Sequence, residues 1–363
     1  MKLTVTQENL SRALSTVSRV ASSRASLPIL SNVLLKTSKN RLTVAATNLD
    51  IAITETIGAK ISKEGAITVP ARLMQDFVSS LPSGNLEIEV EENKLRLKAE
   101  RFDSTINGVS PEEFPVMPTI DGGSTIEISS SEMRTTLSQV LFTASSDEAR
   151  PVLTGVYFNG DSGKLFVAAT DSYRLAEKAL GKDVGDMSLL VPARSLAELL
   201  RALKDNDDPV VVTYDEQQAR FAVSGIEIVT RLVEGKYPDY KKLLPKKFET
   251  TALLSKKSLA EITKVSGLFA REAAGSITLL IDQAKKEVSI CSIASQIGEN
   301  TANAEAEVNG DANITLNSRY ILDALQAFDG DNIQINVNGK LDPCVLTDPG
   351  DDSYLHVVMP VKS

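Results

Sequence analysis

The residues in this sequence able to do chemistry are few, and their spacing argues against catalysis. His356 is the single histidine, which makes a multi-histidine metal site impossible and disfavours a histidine-centred triad. Cys291 and Cys344 lie far apart with no CxxC spacing, so two buried or half-buried thiols are expected in place of a zinc site or a disulfide framework. The carboxylates of Asp205, Asp207 and Asp208, and of Asp351 and Asp352, fall in predicted turns, where bonding to nearby backbone explains them without proton transfer. Gly160-Asp161-Ser162-Gly163-Lys164 lacks the leading glycine of a phosphate loop and continues into Leu165, so it reads as a hairpin turn. The sequence has no HExxH, GxSxG or clustered Cys/His set. A chain with no catalytic residue, no metal and no cofactor is expected.

The chemistry that remains is electrostatic. A net charge of −9 argues against a surface that grips a polyanion everywhere, yet it allows a local basic lining. The six predicted helices hold about 12 basic and about 7 acidic residues, which leaves about −14 on everything else. Arg12 and Arg19 lie off the apolar stripe of the first helix, and Arg72 and Arg134 fall on the next two. On the fourth, Arg194 and Arg201 recur at a seven-residue interval, as do Lys257, Lys264 and Arg271 on the fifth, opposite Leu259, Ile262 and Phe269. One such face is ordinary for a solvated helix; its repetition across helices marks a basic surface suited to phosphates.

These helices belong to a pattern written three times. LPILSNVLLKTSKNRLTVAATNL at 27–49 and RPVLTGVYFNGDSGKLFVAATDS at 150–172 match at Pro28 and Pro151, Leu30 and Leu153, Val33 and Val156, and in the Val-Ala-Ala-Thr run. A weaker third copy, SITLLIDQAKKEVSICSIAS, occupies 276–295. Short apolar strands then run into helices at 67–82, 189–204 and 314–328, where proline or asparagine breaks the strand and leucines recur at helical spacing. Alternating strands such as 86–90 and 333–337 follow. Each copy opens with another helix, near 7–21, 130–143 and 255–272.

The fold class is therefore α+β: three similar tandem domains, each with two helices and about eight strands in antiparallel sheets. Boundaries are placed at 1–120, 121–247 and 248–363, at the Asp121-Gly122-Gly123-Ser124 turn and after Pro245-Lys246-Lys247. Hydrophobic content of 42% with 24% charged residues is the balance of a soluble protein, and no apolar run reaches the ~20 residues of a membrane span. MKLTVTQENL has no charged-then-apolar stretch of a secretory signal, so a cytoplasmic location is expected.

LPILSNVLL, ATNLDIAI, ATDSYRLA, VPAR before a helix, EGKYPDYKKLLP and the final VVMPVKS together resemble the bacterial DNA polymerase III beta subunit family, the sliding clamps, over essentially the full chain. The resemblance implies a homodimer of two chains, head to tail, in a six-domain ring whose helices line a hole for double-stranded DNA of any sequence. It assigns Arg24 a DNA contact, and it places Asp147 where the family has a glutamine that makes a second one, a departure from the family at that contact.

The resemblance also implies a peptide-binding cleft at Arg150, Leu153, Thr170, Ser172, Tyr173, Arg174, Leu175, Pro238, Lys242, Leu243, Pro343, Val357, Met359, Pro360 and Val361. Leu, Val, Pro and Met suit a dry, adaptable surface for an extended peptide with a glutamine and a pair of large apolar side chains. Expected partners are the polymerase III catalytic subunit, the clamp loader and other proteins with short clamp-binding motifs. Tyr173, where a histidine is frequent, and the ending Lys362-Ser363 depart from the family. Ile106, Leu268 and Phe269 are candidates for the dimer interface, with ordinary core packing as the alternative. For the whole chain, the alternative is a peptide-binding scaffold that does not encircle nucleic acid.

Overall fold

The structure, a computed structural model, describes residues 1–21, 27–203, 208–294 and 298–361. The helices among them are α1 (Gln7–Val17), α2 (Ala71–Ser80), α3 (Ser130–Val140), α4 (Ala193–Ala202), α5 (Lys256–Phe269) and α6 (Ser318–Ala327). One plan recurs at each helix: a strand runs straight into it and at least three strands follow. Pro70 and Pro192 end the strands before α2 and α4. Before α6 the side chain of Asn317 accepts the Arg319 N–H at 2.9 Å, a cap that satisfies a donor the helix leaves open.

All sheet pairings between the named strands are antiparallel, and the sheets run through the repeats. An eight-stranded sheet joins the second repeat to the first where Ile226–Arg231 pairs with Ile51–Gly58, setting Ile228 opposite Ile53. A nine-stranded sheet joins the third to the second where Asp351–Val358 pairs with Arg174–Leu180. The three tandem domains are thus fused by continuous backbone ladders, and a one-residue slip at either join would turn its buried side chains outward. The chain forms two compact units, residues 1–134 with 194–232 and residues 135–193 with 233–363.

The first unit also holds a five-stranded sheet and the packed pair α1 and α2; the second holds a four-stranded sheet and the pair α5 and α6. Leu10, Ala13, Leu14 and Val17 of α1 are fully buried, as the apolar stripe requires. Gly267 of α5 permits a close approach to α6, since a Cβ there would lie 3.2 Å from Ser318 Oγ.

Two helices end earlier than their apolar periodicity implies. α1 stops at Val17, so Arg19 lies in the turn beyond it, where Val20 folds back into the core. α5 stops at Phe269, and Arg271 sits in a 3-10 turn, Arg271–Ala273, that closes through left-handed Ala274 (φ 51°) and Gly275 (φ 81°). The heptad that joined Arg271 to Lys257 and Lys264 therefore breaks at its last member. No helix among the described residues is long and apolar enough to cross a membrane.

Candidate functional site

The positions singled out in the second and third repeats converge on one join. Arg174–Leu180 lies against Asp351–Val358 with Arg174 opposite Val358 and Leu175 opposite Val357, and Cys344–Asp348 continues the sheet. Leu175, Val345 and Val357 pack there with Ala168, Leu190, Tyr237 and Tyr240, and Val152, Leu244 and Met359 lean against them. Leu153, Thr170, Leu175 and Val357 are buried, so they form the floor. Each buried aliphatic of this kind contributes about 1.5–3 kcal/mol to holding it.

Tyr237 and Tyr240 reach the floor from the aromatic-proline turn. Gly235 opens that turn at φ 123°, and a Cβ there would strike Val152 Cγ1 at 2.7 Å, so glycine is required. The Tyr237 ring stacks on Tyr157 at 4.8 Å. Tyr240 donates its hydroxyl proton to Glu177 Oε2. Burial lifts the Glu177 carboxyl above its ordinary range, with the Tyr240 bond opposing. Burial and the neighbouring carboxylate raise the Tyr240 phenol in turn, so it remains a proton donor at neutral pH.

Arg174 is fully engaged. It donates from Nε to Asp171 Oδ2 at 3.0 Å, from Nη1 to Asp323 Oδ2 at 2.6 Å and from Nη2 to the Phe142 carbonyl at 2.9 Å. Its guanidinium also lies over the rings of Phe142 and Tyr320. Arg174 therefore bolts the join to α6 and offers no free charge to a ligand. His356 lies beneath, fully buried and stacked on Phe142, with Nδ1 3.3 Å from the Tyr354 hydroxyl. Burial, then Arg174, pulls its pKa down to about 3, so it is a neutral packing residue at physiological pH.

The rim is polar and open. Thr170 Oγ1 donates to the Arg174 carbonyl at 2.6 Å and accepts the Ser172 N–H at 3.1 Å. Asp171 Oδ1 accepts the N–H groups of Tyr173 and Arg174, and Ser172 takes φ 79°. This turn lifts Tyr173 to 58% exposure. Its carbonyl accepts the Met359 N–H at 2.8 Å, and the Val361 N–H donates to Thr315 at 2.9 Å, which ties the tail along the turn. Met359, Pro360, Val361 and Pro343 are half-buried. Arg150 donates to Asp147 at 3.1 Å and to Ser172 Oγ at 3.0 Å. Pro238, Lys242 and Leu243 are exposed, and Lys242 pairs with Asp239 at 2.8 Å on its own turn. Lys362 and Ser363 lie outside the described residues. An apolar floor with an exposed Tyr and Leu at its edge can take an extended chain through one or two large apolar side chains.

The sequence pattern did not point to Tyr320, Asp323 and Asn317, which the structure brings to Arg174 or its surroundings. Nor did it point to Glu177, Tyr237 and Tyr240. The available signal was the paired tyrosines of YPDY, whose three-residue spacing suits a common anchor.

Of the basic residues, Arg24 lies outside the described residues. Arg12 pairs with nearly buried Glu55 at 3.3 Å, Arg19 with Glu198 at 3.8 Å and Arg72 with Asp76 at 3.9 Å. Arg201 also meets Glu198. Arg134 is half-buried, while Arg194, Lys257 and Lys264 are exposed. On α5 the buried stripe is Leu259, Thr263 and Ser266, with Ile262 and Phe269 only half-buried.

Ile106 is 6% exposed and so faces its own core; it sits on Phe102–Asn107, an edge strand of the five-stranded sheet. Gly298–Glu305 is an edge of the four-stranded sheet. Near it, Leu268 and Val265 of α5 and Ile293 are exposed apolar residues, while Phe269 is half-buried.

Three tandem α+β domains fused by continuous antiparallel sheets define the DNA-clamp class of fold. Family models described as the N-terminal, central and C-terminal domains of the DNA polymerase III beta subunit match residues 1–118, 127–239 and 241–362. The beta sliding clamp of Synechocystis is 31% identical, covering 100% of this chain and 99% of its own; that of Bacillus subtilis is 28% identical over 100% of both. Among solved structures, the DNA polymerase sliding clamp of Bacillus subtilis superposes with a TM-score of 0.95 at 27% identity, covering 100% of this chain and 99% of that one. The Pseudomonas aeruginosa sliding clamp bound to griselimycin gives 0.95 at 26%, with 100% of both chains covered. This chain belongs to the DNA polymerase III beta subunit family.

Proposed function

We propose that this protein is a DNA polymerase processivity factor: two copies close head to tail into a six-domain ring around duplex DNA, and the cleft tethers the polymerase. It acts without catalysis, in the cytoplasm. The observation that carries this reading is a pairing rule with two unfilled places. Inside the chain, the last strand of the second domain pairs with Ile51–Gly58 of the first, and the last strand of the third with Arg174–Leu180 of the second. The corresponding last strand of the first domain, Phe102–Asn107, and the corresponding strand of the third, Gly298–Glu305, both lie at sheet edges. Open edges are sticky, and a second copy satisfies both by repeating the rule at each end, a heterologous contact that closes after two chains. Leu268, Phe269 and Val265 supply apolar area beside one edge.

The exposed cations of the helices, Arg194, Lys257 and Lys264 above all, then face the duplex, with Arg12, Arg19, Arg24, Arg72, Arg134 and Arg201 adding to the lining. A sliding ring should hold DNA topologically and contact phosphates weakly, which suits Arg12, Arg19, Arg72 and Arg201, each already beside a carboxylate. The cleft around Tyr173, Leu243 and Met359 takes short motifs from the polymerase III catalytic subunit, the clamp loader and other partners. The native mass tests the assembly: two chains per particle are expected, and a particle that stays a single chain at micromolar concentration would leave only the peptide-binding scaffold.

A further inference from the structure

Beside the cleft lies a polar hollow of about 580 Å³, walled by Asp171, Arg174, Arg271, Asn317, Arg319 and the backbone at 274–275, among others. Three guanidiniums and one carboxylate are among its lining groups. Arg174 is spent on Asp171, Asp323 and the Phe142 carbonyl, and Asp171 is itself filled by Arg174 and two backbone N–H groups. The corner's backbone is satisfied internally: Ser318 N–H donates to Gly275, Asn317 Nδ2 donates to the Ala274 carbonyl, and Asn317 Oδ1 accepts from Arg319 N–H. What stays open is the pair Arg271 and Arg319. Both are exposed, and neither guanidinium has a hydrogen bond or ion pair among the side chains the structure describes.

We propose that this hollow is a carboxylate subsite of the peptide cleft, which selects partner motifs carrying Asp or Glu beside their apolar anchors; it rests on the cleft reading above. Two uncommitted guanidiniums in a concave wall match carboxylates through paired N–H donors. A hollow focuses positive potential, and against a net charge of −9 such a spot is what lets an acidic peptide approach. A peptide is favoured over duplex phosphate because the hollow shares the Asp171 to Arg174 turn with the cleft. The strand that ends in it, Ala312–Asn317, also holds the protein's own tail through Thr315. A chain following Met359 to Val361 therefore leads toward the arginines. The early end of α5 takes Arg271 out of the helix and into this wall.

The test uses the full-length protein and fluorescent peptides with one glutamine and two large apolar residues, flanked on either side by Glu-Glu or by Gln-Gln. At low salt the Glu-flanked form should bind about three- to tenfold more tightly on one flank, as expected for one or two partly solvated ion pairs. High salt should erase the preference. The double variant Arg271→Ala with Arg319→Ala should reduce it to about one, and Arg271→Lys with Arg319→Lys, which keeps the charge but not the paired donors, should restore part of it, which separates charge from misfolding. Equal binding of both flanks to the parent protein overturns the subsite, as does a double variant that keeps the preference or loses only duplex retention. Failure of both peptides to bind would instead remove the cleft reading and the subsite with it.

Discussion

Arg174 and Asp323 meet at 2.6 Å between the start of the strand Arg174–Leu180 and the second turn of α6. The same guanidinium holds Asp171 and the Phe142 carbonyl and covers two rings, so one side chain fixes the cleft floor, its rim turn and α6 together. Arg174→Ala should lower unfolding stability by about 2–4 kcal/mol, since it leaves Asp323 and a carbonyl without their donor in a largely dry place. The check is a shift of the urea midpoint with an unchanged slope. Arg174→Lys should recover little, because a single ammonium cannot span three acceptors. An unchanged midpoint would show that the node is ornamental.

His356 sets a pH dependence. Folded, it titrates at about 3; in an unfolded chain, near 6.5. Between those values the unfolded state binds a proton that the folded state refuses, so stability must fall as pH drops from about 6.5 toward 3 and be flat above 7 in this residue's contribution. His356→Asn should be less stable at pH 7.5 and lose less on acidification to pH 4.5. Parallel urea curves for the two proteins across that range would refute the assignment.

Leu268 is half exposed at the end of α5. Leu268→Glu should cost the isolated chain under about 0.5 kcal/mol yet place a charge in the proposed contact between copies. Sedimentation should then find single chains where the parent gives pairs. Retention of the paired mass would move the interface elsewhere.

Lys257 and Lys264 occupy the exposed face of α5. Replacing both by alanine should weaken duplex binding and flatten its dependence on salt, by about 0.9 in log-log slope for each phosphate that is no longer neutralised. An unchanged slope would turn this face away from DNA.

The fold was legible because its signals are local. Pro28 and Pro151 mark the repeated turn, Pro70, Pro192 and Asn317 end the strands that feed helices, and the leucines of α4 keep helical spacing. Where a helix stops was less legible, since the apolar spacing ran on through Val20 and the basic spacing through Arg271 while the backbone had already turned. The fusion of neighbouring repeats through Ile51–Gly58 and Arg174–Leu180 was invisible, because ladder pairing leaves no pattern in one strand. Thr263 and Ser266 hid in the buried stripe of α5; Ser266 is accepted there because its hydroxyl donates to Asn300 Oδ1 at 3.0 Å. The cleft assignment came from resemblance and not from composition. Tyr320 and Asp323, which hold Arg174, come from a distant helix that only the folded chain brings to it, and Glu177 meets Tyr240 from the strand Arg174–Leu180.

Retention on closed and cut DNA tests the encircling ring directly. After loading onto a nicked circular duplex, the protein should stay bound through a wash at high salt and then leave within seconds to minutes once a nuclease makes the circle linear with free ends. Equal retention before and after cutting, or loss from the intact circle as soon as salt is raised, would contradict a topological hold and favour binding to the phosphates alone.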